Sequence, residues 1–206
     1  DDSVVQGYFV WASKAVRGQF GDSWLYNQPV LQKFASVIWY SFALGLASFI
    51  LEIIIAIPAG VAAARKQYSL TDYSITVIAL IGISLPSFFF ATILKWIFAV
   101  KLNWLDLYGI VGRMHQQLSP MGQVLDIAKH MIMPVLTLTI VSIGSLMRYT
   151  RTNMLEVLNA DYIRTARAKG LPEKKVINHH AFRNILIPII TLLGGTLPSL
   201  FGGALI

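Results

Sequence analysis

The sequence predicts an all-α, polytopic membrane protein, and three observations carry that prediction. Of its 206 residues, 55% are hydrophobic and 13% charged, against the roughly 25% charged residues of a soluble domain. The mean hydropathy is +0.61. The apolar residues gather into stretches of the ~20 residues that a helix needs to cross a bilayer, and most Lys and Arg residues fall between those stretches. A water-soluble fold of this length has too little interior to hide so much apolar surface.

Residues 1–33 mix polar and aromatic side chains and are expected to form an external or interfacial segment. Trp11, Phe20, Trp24 and Tyr26 are of the types that settle at headgroup level. The run Phe20-Gly21-Asp22-Ser23-Trp24 reads as a turn into the first span. Residues 34–206 form the membrane domain, with four spans at about 34–64, 73–100, 127–147 and 185 to the end. Asp at position 1 and an ending inside the apolar run Gly-Ala-Leu-Ile lead to the expectation of further membrane helices on both sides. The connections are a short basic turn at Arg65 and Lys66, a longer loop at 101–126 carrying Trp104, Tyr108, Gly109 and Gly112, and a strongly basic stretch at 148–184.

The net charge of +7 follows from the positive-inside rule and calls for no nucleic-acid partner. Arg148, Arg151, Arg164, Arg167, Lys169, Lys174, Lys175 and Arg183 outweigh Glu156, Asp161 and Glu173, so the 148–184 stretch is expected in the cytoplasm. The Arg65–Lys66 turn, two spans earlier, then lies on the same side, and the 101–126 loop faces outward. The two cues agree.

Enzymatic chemistry finds no foothold in the sequence. There is no cysteine. His115, His130, His179 and His180 have no metal-ligand spacing, and neither a Gly-x-Ser-x-Gly elbow nor an ATP-binding Gly-x-x-x-x-Gly-Lys-Ser/Thr loop is present. If ATP drives the protein, another subunit binds it.

Within the basic stretch, residues 161–184 read as two short helices. Asp161 or Asn159 is placed to cap the first, Gly170 to end it in a left-handed conformation, and Lys169 to face the negative end of its dipole. Pro172 suits the first turn of the second, followed by Glu173. Tyr162, Ala166 and Lys169 share one face, and the small Ala166 and Ala168 are expected to admit a partner's backbone. A basic helix of this kind also fits against anionic headgroups.

The stretch Asp161-Tyr-Ile-Arg-Thr-Ala-Arg-Ala-Lys-Gly-Leu171, followed by Ile185-x-x-Pro188, decides between these readings. It resembles the cytoplasmic coupling loop of permease subunits of binding-protein-dependent ABC importers, and more narrowly that of the peptide and nickel branch. Other branches carry Glu-Ala-Ala where this chain has Arg164-Thr165-Ala166, so a Glu-based docking contact is not carried over. Phe20-Gly-Asp-Ser23, Ile57-Pro-Ala-Gly-Val-Ala-Ala63 and Ser84-Leu-Pro-Ser-Phe88 resemble further landmarks of these permeases.

The resemblance implies a type I importer permease bundle. Asp161, Tyr162, Arg164, Thr165, Ala166, Arg167, Lys169, Gly170 and Leu171 would couple it to ATPase subunits. It further implies a multi-pass protein of a bacterial or archaeal plasma (inner) membrane, in contact with lipid. The pathway would form against a second permease, a paralogue rather than an identical copy. Two cytoplasmic ATP-binding subunits would hold ATP and Mg, this chain binding no cofactor or metal, and an external binding protein would deliver substrate. Peptides are the expected cargo, with nickel chelates or oligosaccharides as alternatives. A self-sufficient secondary transporter or channel would show inverted repeats and paired intramembrane charges, and a membrane-embedded enzyme a catalytic constellation; the sequence shows none of these.

Inside the spans, Glu52 lines the translocation path, makes a packing hydrogen bond or is held protonated, since an unpaired carboxylate there is costly. Lys95 lies near the outer end of its span, where it can snorkel, and is not expected to pair with Glu52. Pro58, Pro86, Pro134 and Pro188 each interrupt a span or its entrance. Pro86, with Ser84 and Ser87, is the preferred pathway candidate among them.

Overall fold

The computed structural model describes residues 3–202. Asp1, Asp2 and residues 203–206, which include the end of the expected fourth span, lie outside the described residues.

The chain opens with α1 (Val4–Ala15), capped by the Ser3 hydroxyl, and a small hairpin in which β1 (Asp22–Ser23) pairs antiparallel with β2 (Gln28–Pro29). Gly21 supplies the positive φ of +78° that the turn into this hairpin needs. Helix α2 (Val30–Arg65) then runs for 36 residues, about 54 Å at the α-helical rise. A tight turn leads into α3 (Leu70–Ser84), capped by Ser69. The expected second span is not one helix. It breaks at Leu85–Pro86, and α3 meets the following helix at 103°. Leu85 is extended, at φ −99° and ψ 139°, as proline requires of the residue before it. Helix α4 (Ser87–Leu94) continues in a wider π-helical segment, Lys95–Lys101.

The third span also differs from expectation. Helix α5 (Pro120–Leu158) is 39 residues long, so the expected loop residues 120–126 and 148–158 are helical. Ser119 caps it and Pro120 occupies its first turn, a pair of start signals upstream of the apolar run. Helices α6 (Asp161–Ala168) and α7 (Glu173–Lys175) follow, the latter widening into a π-helical Val176–Ala181 before α8 (Phe182–Thr196) and a 3-10 turn, Leu197–Phe201. Among the described residues, three helical stretches are long and apolar enough to cross a membrane, and the bent α3–α4 pair taken as one span makes a fourth.

Contacts along α5 fix the direction of each neighbour. Asp72 binds Arg151, Ala79 abuts Gly144, Gly82 abuts Ile140 and Asp106 binds Lys129. Helix α3 therefore runs antiparallel to α5, and after the bend the chain ends beside the start of α5, so the α3–α4 pair leads from one end of the bundle to the other. Helix α2 runs parallel to α5, with Ser48 near Thr139 and Gly60 against Met147 and Thr150. Helix α8 returns antiparallel, with Pro188 beside Tyr149 and Leu200 against Gly45.

The packing is of the small-residue kind that lipid demands, since apolar burial drives little helix association there. A Cβ on Gly60 would lie 2.7 Å from Thr150 Cβ, and Cβ atoms on Gly82 and Gly144 would strike the carbonyls of Ile140 and Ala79. Two buried clusters result. Ala56, Ala79, Ile143, Leu146 and Met147 join α2, α3 and α5, while Met154, Ile163, Val176, Ile177 and Ile185 seat the α6–α7 segment on the ends of α5 and α8. Large apolar side chains such as Ile54, Val77, Ile78 and Ile187 point outward, as a lipid-facing surface requires. Pro58, Pro134 and Pro188 all stay inside continuous helices, so of the span prolines only Pro86 marks a break.

Candidate functional site

The α6 segment is built as a rigid unit. Its N-cap is Ala160, whose side chain makes no capping bond, so neither Asp161 nor Asn159 caps it. Asn159 instead donates its amide to the Leu155 carbonyl, and Asp161, inside the helix, contacts Arg164 at 3.5 Å. Two carbonyls of the last turn are closed by the residues that follow: Gly170 N–H donates to Arg167 O at 2.9 Å and Leu171 N–H to Ala166 O at 3.4 Å. This paired closure needs a left-handed residue, and Gly170 supplies it at φ +74°. Across the turn, the Arg167 guanidinium donates to both Glu173 oxygens at 3.1 and 2.8 Å, and that carboxylate raises the Arg167 pKa above its ordinary value. Pro172 sits at the N-cap of α7 rather than inside its first turn.

Burial divides the nine residues expected to couple in a way the sequence did not indicate. Ile163 and Ala166 are 0% and 5% exposed and face the protein's own interior. Ala166 is therefore turned away from a docking partner; its small side chain lies in the buried cluster that also holds Met154, Val176 and Ile185, with α6 packed against the 176–181 segment. Leu171 is half-buried against the same cluster. Asp161, Tyr162, Arg164, Thr165, Arg167, Lys169 and Gly170 are exposed, as is Ala168. The outward face is thus basic, with one aromatic ring.

The ends of the spans beneath this segment are clamped. Asp72, 3% exposed, receives Arg151 Nε at 2.6 Å and Nη2 at 2.8 Å, and Tyr68 N–H at 3.0 Å. This buried bidentate pair ties α3 to α5 at the end nearest α6. In the sequence Arg151 figures only as one of the charges that orient the chain, with nothing to suggest the pairing, because only the antiparallel register brings positions 79 apart together.

Glu52 lines a cavity of about 380 Å³ between α2, α5 and the α8 end. Ser41, Ser48, Ser142, Ser145, Thr196 and Ser199 also line it, and Ser142 lies within hydrogen-bonding reach of the Glu52 carboxylate. Glu52 precedes Arg65 by 13 residues, about 20 Å along the axis, which puts it deep within the apolar span. Ser84, Pro86 and Ser87 do not line this cavity; they belong to the α3–α4 break. The pathway candidates therefore fall in two places. Ser41, Ser48 and Glu52 recur at helical spacing, a polar stripe inside an apolar run that was legible in the sequence.

At the opposite end of α5, Asp126 accepts from Gly112 N–H at 2.9 Å and contacts His115 Nδ1 at 2.6 Å and His130 Nδ1 at 3.4 Å. Asp106 meets Lys129 at 3.1 Å, so carboxylates pin the 102–119 loop to α5. Lys95 turns toward this loop, its Nζ 5.4 Å from the Tyr108 ring, and does not meet Glu52. Among the described residues, no group of three acidic, His or Cys side chains is placed to hold a metal ion.

A helical membrane bundle with a rigid basic segment at one end is the class of protein these features define. The chain belongs to the binding-protein-dependent transport system inner membrane component family, whose model matches residues 56–206. It is 39% identical to the oligopeptide transport system permease protein AppB of Bacillus subtilis, over 100% of this chain and 64% of that one. It is 35% identical to the oligopeptide transport system permease protein OppB of Escherichia coli, over 100% of this chain and 63% of that one. A putative peptide permease protein of Brucella ovis is 37% identical over 96% of this chain and 61% of its own length. The chain thus spans a little over three fifths of the length of these relatives.

Proposed function

We propose that the chain is the membrane-embedded subunit of an ATP-driven importer, forming part of the path through which peptides enter the cell. The observation that carries this reading is the α6 unit. Its turn is closed at two carbonyls, its inner face is packed on the span ends, and its outer face is basic and free. A push on such a unit moves α5 and α8 rather than bending a loop. Family membership and the names of the relatives support the same reading, and the relatives' names support peptides as the cargo.

In this reading the α6 end is cytoplasmic and the 102–119 loop faces outward. That agrees with the Lys and Arg distribution, and Arg65 and the basic segment lie at one end of α5, close enough for Arg65 to act on Glu173. Two separate ATPase subunits carry ATP and Mg and dock on the exposed face of α6. A second permease, a paralogue, covers the hydroxyl-lined face of α2, α5 and α8, and an external binding protein delivers the substrate. The chain itself performs no covalent chemistry.

The test uses the full-length permease expressed with its ATPase subunits. Tyr162→Ala combined with Lys169→Glu should leave the permease folded in the membrane. It should lower ATPase co-purification or its stimulation by loaded binding protein by about tenfold or more, the loss expected of a central interface pair. Wild-type docking and stimulation in that double variant would move the docking surface elsewhere.

A further inference from the structure

The cavity around Glu52 is chemically one-sided. Three of the hydroxyls at its wall already give their protons to carbonyls of their own helix: Ser48 to Gly45 at 2.9 Å, Thr196 to Leu193 at 2.8 Å and Ser199 to Thr196 at 2.6 Å. A hydroxyl that donates along its helix presents only oxygen lone pairs to the space beside it. Ser142 has the Leu138 carbonyl as acceptor at 3.0 Å and stands beside Glu52. Among the described residues no Lys, Arg or His lines the cavity. One carboxylate and four hydroxyls whose protons are already engaged therefore face a volume of about 380 Å³, with Ser41 and Ser145 completing the polar wall and no positive charge supplied by the described residues.

A group that satisfies this wall must bring several N–H donors and a positive charge. Ammonium and guanidinium groups do so; carboxylates and phosphates meet repulsion from Glu52 and find no committed donor. We infer that the cavity is a cation-accepting station on the transport path, in which Glu52 is the counter-ion for an ammonium or guanidinium group of the passing substrate. A peptide brings such groups at its N-terminus and on basic side chains. The inference rests on the reading of this face as the path, and goes beyond it by assigning the sign of charge the path selects.

These 206 residues contain no cysteine, and any cysteine elsewhere in the transporter is first replaced by serine so that a single introduced thiol reports. Ser145→Cys, on the cavity wall, is introduced into the full-length permease in the assembled transporter. Its modification rates by trimethylammonium-ethyl and sulfonato-ethyl methanethiosulfonate are compared during turnover. The cationic-to-anionic rate ratio, divided by the same ratio for a small thiol in water, should be raised about tenfold or more by a carboxylate in a partly desolvated site. Glu52→Gln in the same background should bring it back toward one. Thr196→Cys, on the other wall, gives a second reading should the first variant fold poorly. A normalised ratio near one, or an elevated ratio that Glu52→Gln leaves unchanged, overturns the cation station while leaving the path in place. If neither reagent reaches either cysteine in the working transporter, although both label fully after denaturation, then water does not enter the cavity. The path reading and the inference then fall together.

Discussion

At the scale of the residue, the Asp72–Arg151 pair shows most clearly how a charge survives at the edge of an apolar bundle. Asp72 is taken out of water and repaid by two guanidinium donors and a backbone N–H. Removing one partner leaves the other charge uncompensated, which for buried pairs costs several kcal/mol. Arg151→Met should therefore destabilise the detergent-solubilised protein by ~3 kcal/mol, seen as a clear drop in thermal midpoint. Adding Asp72→Asn should recover part of that loss. Equal midpoints for wild type and Arg151→Met would show the pair to be solvent-screened. Gly170 is the converse case, legible in the sequence from its place after a basic helical run, because its role is set by local backbone geometry. Gly170→Ala keeps the N–H donor but strains a backbone at φ +74°, and should cost about 1 kcal/mol. Pairings such as Asp72 with Arg151, or Asp126 with His115, depend on which helices lie side by side, and no local pattern encodes that.

At the scale of the element, α6 is the helix the sequence predicts, but it is rotated so that one face is buried in the protein. The sequence showed Tyr162, Ala166 and Lys169 at helical spacing, but not how the helix is rotated. The full burial of Ile163 turns Ala166 inward with it. Ala166→Asp should consequently act through stability: a carboxylate placed in the buried cluster that holds Met154 and Ile185 should lower the thermal midpoint and expose the segment to protease even without an ATPase subunit. Wild-type protease resistance in that variant would return Ala166 to the docking surface. The close α3–α5 crossing makes a second prediction. Gly144→Val drives its side chain into the Ala79 carbonyl and should abolish stable insertion, whereas Gly7→Ala in α1, with nothing within 4 Å, should be neutral or slightly stabilising. Yield of monodisperse protein compares the two. Span existence was legible from apolar length, but span ends were not. Helix α5 continues through Arg148 and Arg151, and Asp72 satisfies the second of these charges.

At the scale of the whole molecule, the antiparallel register of α3 and α8 against α2 and α5 puts the basic segment and the 102–119 loop at opposite ends. Single cysteines test that arrangement. An impermeant maleimide applied to intact cells should modify Arg113→Cys and spare Lys174→Cys; the reverse pattern would invert the orientation. The bundle and the helical α6 segment could be read from the sequence because each is carried by one continuous stretch. The cavity could be glimpsed only as the stripe Ser41, Ser48 and Glu52, since its other wall comes from α5 and α8. The central claim is that one chain separates the drive, at α6, from the path, at Glu52. It is tested most directly by measuring substrate-stimulated ATP hydrolysis and peptide uptake side by side in vesicles holding the complete transporter. Gly170→Pro, which removes the N–H donated to Arg167 and forbids the left-handed turn, should lose both activities together. Glu52→Gln should keep stimulated hydrolysis while changing the rate or charge preference of uptake. Loss of hydrolysis in Glu52→Gln, with Gly170→Pro altering only which peptide is carried, would contradict the account.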